Sequence, residues 1–145
     1  MPVTFRLCLL LALGGALGTL GRFFVGLLAA PLSHDLPWGT ILINIVGSFA
    51  IAFFGTLTLA SGRFPVSEEW RIFFMVGFCG GFTTFSAFSL QTLELLRNAA
   101  WMRAGMNVAL SVVLCLAAVA IGHFTAARIN GGATAIAQAG VEEEA

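Results

Sequence analysis

The segment Gly77-Phe-Cys-Gly-Gly-Phe-Thr-Thr-Phe-Ser-Ala-Phe-Ser89 concentrates the residues of this chain best able to act on an ion. Three glycines in five residues predict an interrupted helix, with Thr83 or Thr84 capping its restart. Backbone freed inside a membrane is tolerated only when buried in protein or lining a cavity, and its carbonyls are good ligands for a hard cation such as Na⁺. Beyond the break, Phe85 and Phe88 stand three apart and project from one side, with Ser86 and Ser89 beside them. Phenylalanine is ordinarily packing or lipid-facing bulk. The edge of its ring is nevertheless electropositive and can face an anion that has shed water.

Other polar positions are scattered among apolar ones. Asn44 sits within the run Trp38 to Phe49, one turn from Gly47 and Ser48 and with no charged neighbour. A carboxamide there either hydrogen-bonds a neighbouring helix or turns its N–H donors toward a passing anion. Arg22 follows Gly14, Gly18 and Gly21, whose spacing lines one helix face and permits close approach. Its charge either snorkels to a headgroup or shapes the field of a polar cavity. Asn107, Ser111 and Cys115, four apart, form a weakly polar stripe of the kind that packs against another helix, and His123 reads as interfacial.

The elements that position these groups follow from the apolar runs. Hydrophobic residues make up 59% of the 145, and only 10% are charged, a balance that leaves the bilayer as the natural solvent. Four stretches, at about 4–30, 38–60, 70–97 and 101–126, each reach the roughly 20 residues a spanning helix needs. A signal peptide is the rival reading of the first, but its apolar pattern outruns a signal core of roughly 7 to 15 residues. Pro31, Ser33, Asp35 and Pro37 break the first connection, and Ser61, Gly62, Pro65 and Ser67 the second, with Ser67 and Glu68 opening the next helix. The third is a tight turn around Asn98. The expected fold is therefore an all-α membrane protein of four transmembrane helices, the third broken, over residues 1–128. Residues 129–145, Gly- and Ala-rich and ending in Glu, read as a disordered tail.

With alternating helices, Arg6, Arg63, Arg71 and Arg128 share one face, and Arg97 and Arg103 the other. This bias leaves two topologies open, a fixed one with both termini cytoplasmic and insertion in both orientations. Net charge is zero, which speaks against nucleic acid. No span holds a cluster of Asp, Glu, His or Cys at acid/base or ligand spacing, which disfavours an enzyme. The three cysteines lie singly in apolar runs and read as small hydrophobes. A small multidrug transporter shares the size and helix number but needs an embedded carboxylate, whereas the first helix has no acid and Glu94 lies near the end of the third. A purely structural subunit accounts for the small-residue faces but not for the broken helix.

Gly39-Thr-Ile-Leu-Ile-Asn44 with Gly47-Ser48, the run from Gly77 to Phe88, and Gly18-x-x-Gly-Arg22 occur in the order seen in the fluoride channel family (Fluc, also called CrcB), which this chain resembles over about residues 10 to 120. The resemblance implies a dual-topology antiparallel homodimer in the cell inner membrane that exports fluoride passively and relieves its toxicity. It implies a structural Na⁺ at the dimer centre, held by main-chain carbonyls that by position belong to Gly80 and Thr83. It further implies that Asn44, Phe85, Phe88 and Ser86 line the pore, and Ser111 is counted with them. Arg22 is assigned a structural or electrostatic role. The expected partners are a second copy, fluoride and membrane lipid. Two positions depart from the family pattern, Ala87 where Thr is frequent and Asn107 where a Tyr stands.

Overall fold

A computed structural model describes residues 4–131, and among these every regular element is helical. Helix α1, Phe5–Ala29, is capped by Thr4, whose Oγ1 accepts from the Leu7 amide at 3.3 Å. Pro31 then falls in the 3₁₀ turn Ala30–Leu32. Ser33 donates to the Ala29 carbonyl (3.0 Å) and accepts from the Gly39 amide (3.2 Å), so one hydroxyl joins the end of α1 to the start of α2, Trp38–Leu57.

Helix α2 stops short of the expected residue 60 because its end is sealed from outside. The Thr58 amide and hydroxyl take the Phe54 carbonyl, Arg71 donates to that of Gly55 (2.8 Å), and Asn130 donates to that of Thr56 (2.8 Å). Carbonyls at a helix end cost free energy if buried without such partners.

The third span, Glu68–Arg97, is the irregular one. It begins as α3, Glu68–Ile72, after Ser67, widens into a π-helical stretch, Phe73–Cys79, and closes as the short α4, Gly80–Phe82. Thr83 and Thr84 are extended, and α5 restarts at Phe85 and runs to Arg97. The break is thus present, but the glycines do not make it, since Gly77, Gly80 and Gly81 all lie in helical backbone. Gly77 and Gly81 serve close approach instead, whereas Gly80 faces open space. A Cβ on Gly14 would lie 2.6 Å from the Phe73 carbonyl oxygen, one on Gly81 would lie 2.5 Å from that of Gly15, and one on Gly18 would collide with that of Phe78.

The turn into α6 places Ala99 at φ 55, with the Ala100 amide on the Leu95 carbonyl (2.9 Å) and the Ala99 amide on that of Leu96 (3.0 Å). This is a Schellman closure with alanine where glycine is preferred. Helix α6, Trp101–Ile129, packs along α2 and runs past the expected residue 126. Ile129 therefore belongs to a helix and Asn130 to the α2 seal, rather than to a tail, while 132–145 lie outside the described residues. Arg6 pairs with Glu69 (3.1 Å) at one end of the bundle and Arg103 with Asp35 (2.9 Å) at the other, as alternating spans require. The four long helices are each apolar enough to cross a bilayer.

Candidate functional site

The break in the third span is held by α2. Gly47 lies against Thr83, so closely that a Cβ would collide with Thr83 Cγ2, and this contact brings Asn44, one turn earlier, level with Thr84. The Asn44 side chain then mimics a backbone partner. Its Nδ2 donates to the Thr84 carbonyl at 3.1 Å, and its Oδ1 accepts from the Thr84 amide at 2.8 Å. The Thr84 hydroxyl accepts from the Ala87 amide (3.2 Å), capping α5, and lies 3.2 Å from Ser86 Oγ. The unpaired N–H groups in the first turn of α5 give this end of the helix a partial positive charge.

Because the Thr84 amide turns to Asn44, it does not close the next helical turn onto Gly80. Thr83 folds its own hydroxyl and amide back onto Cys79, both at 2.9 Å, and its carbonyl accepts from Arg22 Nη1 at 3.3 Å. A Cβ on exposed Gly80 would meet nothing within 4 Å, so that side of the break is open. Neutral carbonyl oxygens freed on an open face are the hard donors that suit a small monovalent cation.

Two clefts, both open at the surface of the chain, flank the break. The outer one, about 880 Å³, is lined by Arg22, Thr40, Ala87, Gln91 and Glu94 among others. The inner one, about 430 Å³, is lined by Asn44, Cys79, Gly80, Thr83, Phe85, Phe88, Ser111 and Cys115, with apolar residues between them. Thr84 lines both. No Asp, Glu, Lys or Arg lines the inner chamber. Phe85 and Phe88 have centroids 5.3 Å apart, Phe88 buried and Phe85 79% exposed. Ser111 is buried there with its hydroxyl unpartnered.

The sequence profile of the family described as CrcB-like protein, Camphor Resistance (CrcB), matches residues 9–123. The chain belongs to this family. It is 63% identical over 98% of its length to a relative from Methylobacterium radiotolerans, of which 99% is covered, and 61% identical over 99% to one from Gluconobacter oxydans, covered in full. Both relatives are named fluoride-specific ion channel FluC, as is one from Methylocella silvestris, 58% identical over 81% of this chain and 91% of that relative. A CrcB-family chain with four such helices is a multi-pass membrane protein, and its family is one of ion channels rather than enzymes.

Of the residues singled out from the CrcB pattern, the fold brings Asn44, Gly80, Thr83, Phe85, Phe88 and Ser111 to one chamber. Ser86 is at the break but exposed, and it lines neither cavity. Arg22 does not snorkel outward, since it turns inward to the Thr83 carbonyl. Asn107 is fully buried, with Nδ2 on Thr92 Oγ1 (2.8 Å) and Oδ1 unpartnered, between α6 and α5 rather than in the chamber. Sequence reasoning took Thr84 only for a possible cap and passed over Gln91, whose buried Oε1 is unpartnered. The signal for Gln91 was its place three residues after Phe88 on one helix face.

Proposed function

We propose that the chain is a subunit of a fluoride-selective channel that lets F⁻ leave the cytoplasm passively across the inner membrane, reducing fluoride toxicity. The observation that carries this reading is the inner chamber, which offers donors and ring edges but no fixed charge. Fluoride is small and strongly hydrated, so a narrow path must replace its water without a cation that would trap it. One N–H of Asn44 remains after the other is committed to Thr84, the unpartnered Ser111 hydroxyl faces the same space, and the Phe85 and Phe88 edges add weaker positive potential. Neutral HF enters at acid pH and dissociates inside, and the negative membrane potential then expels F⁻ through a leak. The names of the close relatives agree with this chemistry.

The working unit in this reading is an antiparallel homodimer of chains inserted in both orientations. Its support is the exposure of Phe85 and Gly80, which a second copy would cover. Each chain would then contribute the Gly80 and Thr83 carbonyls, four oxygens in all, to one structural Na⁺, which would neutralise the dipoles gathered at the breaks. Fluoride efflux from proteoliposomes, with and without chloride as competitor, tests the channel. Flux of F⁻ that excess chloride leaves unchanged is expected, and no flux above protein-free vesicles would refute it. Active reporters on both sides of the membrane, fused to the C-terminus, are the expected mark of dual insertion.

A further inference from the structure

The Thr83 carbonyl, an oxygen that the Na⁺ reading above also uses, already accepts from a charged side chain. Arg22 Nη1 donates to it at 3.3 Å from the outer cavity, while Thr83 also lines the inner chamber. Among the described residues the ion pairs are Arg6 with Glu69 and Arg103 with Asp35, so no carboxylate within 4.0 Å neutralises Arg22. A guanidinium keeps its charge at any physiological pH. Glu94 and Asp35 line the same outer cavity without pairing to it.

We propose that Arg22 limits the Na⁺ affinity of the break by fixing a permanent positive charge on one of the ion's own ligand oxygens. The proposal rests on the Na⁺ reading above and assigns Arg22 a part in it. The donated hydrogen bond draws electron density from the oxygen that the ion needs, and the guanidinium repels the ion through a surround that screens far less than water does. Arg22 is thus a positioning and tuning residue rather than a ligand. Removing the charge relieves this repulsion, and Met, which has no N–H donor, leaves the carbonyl free for Na⁺ as well.

The test is the thermal unfolding of the purified full-length protein, titrated with Na⁺ against N-methyl-glucamine at constant ionic strength, so that only specific binding moves the midpoint. Fluoride flux is not the readout. For Arg22→Gln and Arg22→Met, half-maximal stabilisation is expected at about tenfold lower Na⁺ than in the wild type, the scale of a like-charge repulsion at an intermediate dielectric. Arg22→Lys keeps the charge and should stay near the wild-type value. Two uncharged variants guard against one failing to fold. Half-points equal to or above the wild-type value in both would overturn the proposal while leaving the Na⁺ site intact. A wild-type midpoint that ignores Na⁺ would remove the site itself, and the role of Arg22 with it.

Discussion

Asn44 pairs twice with the backbone of Thr84, donating from Nδ2 to its carbonyl and accepting at Oδ1 from its amide. A carboxamide is the one side-chain group of this size that satisfies a peptide on both sides at once. The pairing fixes the break and leaves one N–H for an anion.

Asn44→Asp keeps the acceptor but sets a carboxylate oxygen against the Thr84 carbonyl and places a negative charge beside the chamber. Fluoride efflux from liposomes should fall at least about a hundredfold, the scale of losing a charge-matched contact of roughly 3 kcal/mol. Wild-type rates in a purified, folded Asn44→Asp protein would remove this residue from the path.

Gly47→Ala should destabilise the fold by about 1 to 3 kcal/mol, because the added methyl collides with Thr83 Cγ2 in a packed contact. Thr83→Ser alone should be mild, as the hydroxyl bond to Cys79 survives and the carbonyls are main-chain groups. The double variant removes the colliding methyl and should recover most of the loss. A double-mutant cycle on thermal midpoints measures this coupling, and simple additivity would contradict the contact.

Phe85→Ile and Phe88→Ile roughly keep volume while deleting the ring edge. Each should lower fluoride efflux at least about tenfold while costing under about 1.5 kcal/mol in stability. Efflux and melting measured on the same preparations separate the two effects. A loss of stability without loss of efflux would make the rings packing alone.

Ala99→Gly should raise stability by about 1 kcal/mol, since alanine at φ 55 bears a left-handed penalty that glycine avoids. Ala99 lies at the turn between α5 and α6 and lines neither cavity, although its neighbour Asn98 borders the outer one. Efflux should be unchanged, and a melting curve is sufficient to check the gain.

The four spans were legible because apolar run length is nearly all that sets them, and their ends fell within a few residues of expectation. The exceptions have a physical cause. Helix α2 ends early because Arg71 and Asn130 reach its carbonyls from distant parts of the chain, and α6 runs late because Asn130 serves that seal. Glycine was rightly flagged in the third span but for the wrong purpose. Whether a glycine breaks a helix or admits a neighbour depends on what lies opposite, here Gly14, Gly15 and Gly18 of α1. The family pattern was the source of the expectation for Asn44, Phe85, Phe88, Ser86 and Ser111, and all of these but Ser86 line the chamber. The pairing that commits half of the Asn44 donors was not foreseen, since it depends on a backbone geometry that exists only once Thr83 and Thr84 are extended.

The π-helical stretch Phe73–Cys79 makes residue count at this depth as consequential as residue identity. A wider turn accommodates a residue that an α-helix would pass on to the next, and each residue of an α-helix turns the chain by about 100°. Tightening the segment to the ordinary pitch without removing a residue would rotate Gly80 and Thr83 about a quarter-turn away from Arg22 and Gly47, whereas removing one residue along with it would restore the phase. Residue count and pitch therefore have to change together in this stretch, and its wide turn behaves as the phase setting of the whole site.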